Sequence, residues 1–257
     1  MTLAGLDFMI LVPALLAGIL VLSTHVPLGQ RVLARGIVFI DLAVAQVAGL
    51  GVTVADSLGW EPQGWRVQVA ACAAALLGAL LLTWTERKWP KVQEAIIGVL
   101  FVAAASAELL LLANNPHGGE HLKDLLVGQI LWVSPASLLP IGLLYAAVLV
   151  LWFGVRQRLG QMGFYLLFAV TVTQSVQLVG IYLVFASLIV PALAVRTLPP
   201  ARRLFAAYGI GLLGYVIGLV GSALFDLPTG AVIVCALVLL LVPCAVAFPD
   251  RAVEAEP

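Results

Sequence analysis

The Lys and Arg residues of this 257-residue chain are sorted into alternate gaps between its apolar stretches, a pattern that confines it to a bundle of membrane-crossing helices. Of the 13 basic residues, Arg31, Arg35, Arg87, Lys88, Lys91, Arg156, Arg158, Arg196, Arg202, Arg203 and Arg251 share one set of gaps. Only Arg66 and Lys123 lie in the other. Short loops rich in Lys and Arg stay on the cytoplasmic side of a membrane, so the same pattern predicts an orientation. A chain folding in water has no physical reason to sort its charge this way.

Composition narrows the choice further. Hydrophobic residues make up 63% of the chain and charged residues 10%, with a mean hydropathy of +1.12, which leaves no room for a soluble domain. The net charge is zero, which argues against nucleic acid as a partner and leaves membrane lipid as the surroundings. The predicted spans are 8–23, 37–55, 67–84, 95–113, 137–153, 163–177, 179–195, 206–224 and 229–247. They make an all-α, polytopic bundle of eight to nine spans. Residues 1–248 form one membrane domain and 249–257 a short tail. Nine spans put the N-terminus outside and the tail in the cytoplasm. The first apolar run has no basic segment before it and no small-residue cleavage pattern, so it is expected to stay as the first span.

Two stretches depart from simple spans. The segment 163–177 is short for a crossing and ends in Thr171, Thr173, Gln174, Ser175 and Gln177, a cluster that must face protein or a wet cavity. The next carries Pro191, which removes a backbone donor and frees a carbonyl. Interrupted segments of this kind point to a solute path, against the plain reading of a kinked helix packed on its neighbours. In the long 114–136 connection, the apolar run 125–133 is too short to span and is expected to lie at, or dip into, the outer face.

Charged side chains inside spans are costly and call for a reason. Asp41 sits near the inner end of the second span, Glu94 starts the fourth and Glu108 lies in its outer half. Glu94 and Glu108, fourteen residues apart, return to nearly the same helix face. Ion pairing with Arg35 and Lys91 would account for Asp41 and Glu94. Glu108 has no Lys or Arg within any span to meet it, leaving a structural carboxyl or a cation pathway. His117, Glu120 and His121 form the only cluster with metal-ligating chemistry, at the outer mouth, against a plain reading as outer-loop polarity. His25 reads as an interfacial residue. Cys72, Cys235 and Cys244 read as small buried hydrophobes. The chain lacks G-x-x-x-x-G-K-[ST], H-E-x-x-H and G-x-S-x-G, so neither ATP cradling nor the common hydrolase chemistries are expected of it, and it is not expected to be an enzyme.

Four stretches carry a resemblance: Leu178 to Ala192 (LVGIYLVFASLIVPA), Asp226 to Ala231 (DLPTGA), Glu94 to Val99 (EAIIGV) and Val127 to Leu131 (VGQIL). They are similar to the permease subunits of bacterial ATP-binding-cassette importers for divalent metals, the zinc/manganese/iron family. The resemblance implies a type II importer-like bundle in the bacterial inner membrane, working as a homodimer. A separate ATPase subunit and a periplasmic metal-binding protein would be its partners. It implies no bound cofactor, only a transported divalent metal, zinc first, with manganese or iron as alternatives. The translocation path would use Asp41, Gln46, Glu108, Gln174, Gln177 and Pro191. A shortened coupling loop would engage the ATPase through Arg156, Arg158, Leu159 and Gly160. The family's Asp-Ala-Leu-Ser-His-Ala stretch loses its His here. With Asp41 matched to its Asp, Ala45 takes the His position; slid by one, Gln46 does and Leu42 replaces the Asp. The competing classes are an ion-coupled secondary carrier titrating Asp41 and Glu108, and a membrane scaffold without transport.

Overall fold

The computed structural model describes residues 8–61, 64–112, 122, 125–155 and 160–247. Among them run nine long helices: α1 (Phe8–Arg35), α2 (Ile40–Ser57), α3 (Trp65–Lys88), α4 (Gln93–Leu112), α5 (Pro135–Val155), α6 (Gly160–Val179), α7 (Ile181–Ala194), α8 (Pro200–Phe225) and α9 (Thr229–Ala247). Seven are long and apolar enough to cross a bilayer, while α7 and the Thr229–Cys244 stretch of α9 are shorter apolar helices. Each predicted span corresponds to one helix, and the chain folds as an all-α membrane bundle.

The helices overrun the apolar runs because nothing in the flanking sequence stops them. α1 continues twelve residues past its predicted end at 23, through Pro27 to Arg35. Pro27 has no N–H to offer the Ser23 carbonyl four residues back, and the Tyr208 hydroxyl donates to that carbonyl at 2.8 Å instead. The helix stops at Gly36 (φ +69°), where Gly36 N–H reaches the Leu33 carbonyl and Ile37 N–H the Val32 carbonyl, a Schellman closure. Gly59 ends α2 in the same way, with Trp60 N–H on the Ala55 carbonyl.

Short connections reverse the chain at each end, so the described basic residues gather at one end of the bundle. Arg31 and Arg35 close α1, Arg87 and Lys88 close α3 with Lys91 just beyond, Arg196 follows α7, and Arg202 and Arg203 lie in the first turn of α8. Arg66, at the start of α3, is at the opposite end.

The expectation of a short sixth segment is corrected. α6 has 20 residues, about 30 Å at 1.5 Å per residue. Its polar cluster is divided: Thr171, Thr173 and Ser175 donate to carbonyls of their own helix at 2.8 Å, which satisfies them without a cavity. The short element is α7, with 14 residues. It is separated from α6 by Gly180 alone, at φ 81° and ψ 161°. Around that break the backbone interlocks. A Cβ on Gly180 would lie 2.4 Å from the Gly128 nitrogen, and one on Gly128 would lie 2.2 Å from the Val179 carbonyl carbon. The run 125–133 thus does not cross the membrane. It turns at Gly128 (φ +71°), forms a single 3-10 turn over Ile130–Trp132, and buries Ile130 against the bundle.

His25 is also corrected. It is fully buried rather than interfacial, with Nδ1 2.9 Å from the Val21 carbonyl oxygen, because α1 carries it into the bundle. The cysteines are free and none is fully buried as expected: Cys72 and Cys244 are half-buried and Cys235 is exposed, since that side of α9 faces outward.

Candidate functional site

α2 and α4 pack against each other, and their contact holds one of the two buried carboxylates among the path candidates. Glu108 is 1% exposed. The Gln46 side-chain amide donates to its Oε2, and the Thr53 hydroxyl donates to its Oε1 at 3.0 Å. Positions 46, 49 and 53 fall on one face of α2 by the 100° step of a helix. Between the two donors, Gly49 leaves the carboxylate room to lie against the α2 backbone: a Cβ there would stand 3.5 Å from Oε1 and 3.8 Å from Oε2. Both of these donors are neutral, and they offset part of the cost of burying the group. A carboxylate, a side-chain amide and a hydroxyl converge there, and a turn of the amide would make them an oxygen donor set.

The same face of α4 carries Glu94, whose Oε1 accepts from the Phe39 backbone N–H at 3.2 Å. Glu94 therefore caps the start of α2, and the fourteen-residue spacing does put both acids toward one neighbour. Asp41 stands apart. It is fully buried in the first turn of α2, with a hydrogen bond to neither carboxylate oxygen. Five residues from Gln46, it lies about 140° around the helix, so the structure does not bring it to Glu108. Of the two alignments of the missing His, the one that places Gln46 there is the one that faces Glu108.

Gln174 and Gln177 line a cavity of about 540 Å³ at the end opposite the basic residues, together with Gln68, Gln129, Ser134 and Ser137. Both polar atoms of Gln177 are buried and without a hydrogen-bond partner. Val52, next to Thr53 on α2, forms part of the cavity wall. Leu125 lines the cavity too, and its Cδ1 lies 3.9 Å from where a Gly49 Cβ would be. Leu125 is thus the apolar partition between the cavity and the Glu108 carboxylate.

Pro191 is buried in α7 and lines neither this cavity nor a second one at the basic end. Four residues back, Ser187 bonds the Leu183 carbonyl at 2.6 Å and the Tyr215 hydroxyl at 2.9 Å. His117, Glu120, His121, Arg156, Arg158 and Leu159 lie outside the described residues; Gly160, at φ +58°, opens α6. Among the described residues no three His, Cys, Asp or Glu side chains gather as a metal site.

Thr53 and Gln68 were not among the candidates from sequence. Thr53 was legible in principle, at i+7 from Gln46 with a glycine between. A threonine in a helix usually bonds its own preceding turn, as Thr171 does here, and that hid it.

The family described as the ABC 3 transport family matches residues 7–164 and 152–247 of the chain. The manganese transport system membrane protein MntC of Halalkalibacterium halodurans is 26% identical, with 89% of this chain and 84% of that protein covered. The high-affinity zinc uptake system membrane protein ZnuB of Haemophilus influenzae is 24% identical, over 89% of this chain and 94% of that protein. PsaBC from Streptococcus pneumoniae, solved in complex with Fab, superimposes with a TM-score of 0.74 at 21% identity, over 96% of this chain and 95% of the matched one.

Proposed function

From the membership of this chain in the ABC 3 transport family, we propose that it is the permease subunit of an ATP-driven importer whose cargo is a divalent metal ion. The observation that carries the reading is Glu108, a buried carboxylate served by Gln46 and Thr53 one apolar side chain away from a polar cavity. A bare cation cannot cross hydrocarbon, so its path must present weak, exchangeable ligands. The cavity glutamines would receive the ion, Leu125 would move aside, and Glu108 would accept it. The Gln46 amide would turn its oxygen to the cation in place of its N–H to the carboxylate. A site with one carboxylate holds a divalent ion loosely enough to release it, which a passage requires and a resident site does not.

Zinc, manganese and iron all belong to the proposed cargo class. The oxygen-only donors Glu108, Gln46 and Thr53 favour manganese over zinc, because imidazole and thiolate suit zinc better. That reverses the order expected from sequence. ATP hydrolysis would take place on a separate ATPase chain docked at the basic end. A metal-binding protein would deliver cargo to the opposite end, and two copies of the permease would work together. The N-terminus would lie outside and the C-terminus in the cytoplasm of the bacterial inner membrane, a reading supported by the tendency of basic ends to stay cytoplasmic. Asp41, at the basic end of α2, would serve the exit side of the path.

The test is elemental analysis of chelated cells lacking the gene, with wild-type or Glu108→Gln protein restored at matched membrane expression. The wild type should restore one of manganese, zinc or iron. The variant should restore about tenfold less of that metal, the equivalent of 1.4 kcal/mol of lost cation stabilisation. Equal restoration by both would remove Glu108 from the path.

A further inference from the structure

Two buried tyrosines make the same kind of bond in different places. Tyr145, in the middle of α5, is hydrogen-bonded to Ser175 of α6. Tyr215, in α8, is hydrogen-bonded to Ser187 of α7 at 2.9 Å. A serine hydroxyl carries a single hydrogen. Those of Ser175 and Ser187 go to carbonyls of their own helices, Thr171 at 2.8 Å and Leu183 at 2.6 Å. Each tyrosine hydroxyl is therefore the donor to its serine. The surroundings of the two pairs differ. Ser137 and Ile141, eight and four residues before Tyr145 on the same side of α5, line the outer cavity. Helical side chains lean toward the N-terminal end of their helix, so the Tyr145 ring points from mid-helix toward that cavity. On α6, Ser175 stands between Gln174 and Val176, with Gln177 two residues on, and those three line the cavity too. The Tyr145–Ser175 bond thus joins two walls of the cavity just beneath it. At the inner end of the same two helices Trp152 packs on Phe164, with ring centroids 6.0 Å apart. Tyr215 and Ser187 line neither cavity.

Apolar contacts between helices tolerate sliding. A hydroxyl bond does not, because it is lost once the helices part by about 1 Å, and an unpaired hydroxyl in a membrane core is costly. The oxygen ligands of a divalent cation must converge on it to about 2.0–2.6 Å, so a wall that drifts by about 1 Å no longer serves it. We propose that Tyr145 is a positioning residue for the cargo: its bond to Ser175 holds α6 to α5 in one register and so sets where Gln174 and Gln177 meet the cation. The inference rests on the reading that a cation enters by this cavity. Tyr145 itself touches no cargo and acts through the wall it holds.

The experiment restores full-length variants to cells lacking the gene, at matched membrane expression, and follows initial uptake of the metal that the wild type restores. Tyr145→Phe and Ser175→Ala should each lower uptake about fivefold, as the loss of one neutral hydrogen bond permits. The two together should be no worse than the worse single change, because they break the same bond. Tyr215→Phe removes an equivalent bond away from the cavity. It should lower the unfolding midpoint as much as Tyr145→Phe and leave uptake near wild type. Spin labels at Ser137→Cys and Gln174→Cys, in purified protein whose native Cys72, Cys235 and Cys244 are alanine, read the gap between the walls directly. Tyr145→Phe should shift or broaden that distance, and Tyr215→Phe should not. An unchanged distance in Tyr145→Phe would overturn the tie whatever uptake does. An equal loss of uptake in Tyr215→Phe would mean lost folding and overturn the positioning role. So would normal uptake by Tyr145→Phe while Glu108→Gln is impaired. Normal uptake by Glu108→Gln as well would count against the cargo path, and the tie would then be judged on the distance alone.

Discussion

Replacing Gly180 with alanine tests whether the break between α6 and α7 is locked by its neighbours or merely permitted by glycine. The φ of 81° with ψ of 161° belongs to a region that is almost glycine-only, which costs another residue about 1–3 kcal/mol. The new Cβ would meet the Gly128 nitrogen at 2.4 Å, the Val127 carbonyl carbon at 2.5 Å and the Gly128 Cα at 2.8 Å. All three are backbone atoms that cannot rotate away. Ordinary contact begins at 3.4 Å, so the two segments must part by about 1 Å, an overpacking cost of about 1–3 kcal/mol more. The sum is about 2–6 kcal/mol. Gly36→Ala supplies the control, since Gly36 has φ +69° with nothing within 4 Å of a Cβ and would bear the conformational part alone. At roughly 2–4 °C per kcal/mol, unfolding of the detergent-purified protein, followed by tryptophan fluorescence, should fall by a few degrees for Gly36→Ala. For Gly180→Ala it should fall by roughly 5–20 °C. Adding Gly128→Ala to Gly180→Ala should cost less than the two single changes summed, because one parting of the segments relieves both. If Gly180→Ala and Gly36→Ala fell equally, the interlock would be refuted.

Thr53→Val keeps the shape and removes one donor to Glu108. It should destabilise the protein by about 1.5–3 kcal/mol and impair metal uptake in cells, whereas Thr173→Val, a hydroxyl bonded only within its own helix, should leave uptake near wild type. Gly29→Ala should be severe, since its Cβ would fall 1.9 Å from the Leu188 carbonyl oxygen. Gly98→Ala meets nothing within 4 Å and should be neutral or slightly stabilising by about 0.5–1 kcal/mol; unfolding midpoints that rank these two in the opposite order would contradict the α1–α7 packing.

The spans were legible because hydrocarbon imposes one rule over about twenty residues at a time, and seven of the helices obey it. Helix ends were not, because α1 continues through Pro27 only where Tyr208, 185 residues away, takes over the orphaned carbonyl. The path candidates were legible one by one through the cost of burying Glu108. Their grouping was not, since Asp41 and Gln46, five residues apart, face different ways while Gln46 and Glu108, 62 apart, share a bond. Pro191 marked α7 as unusual, but it is buried in a helix packed on α1, α8 and α9 and lines neither cavity. The short element was assigned to the wrong side of Gly180, because the polar residues of α6 resemble an interrupted span and are in fact bonded within it.

α7 has consequences for how the chain is made. Its 14 residues span about 21 Å, well short of a hydrocarbon core about 30 Å thick, and Tyr182 is its only exposed side chain. Such a segment has little to gain from partitioning into lipid by itself. On emerging from the ribosome it would enter the bilayer as the trailing arm of a hairpin with α6, turning at Gly180. Its packing partners α8 and α9 would not yet exist. Until they are synthesised, the chain carries a buried element without its burial, and that interval is where a membrane chaperone or protease would meet it.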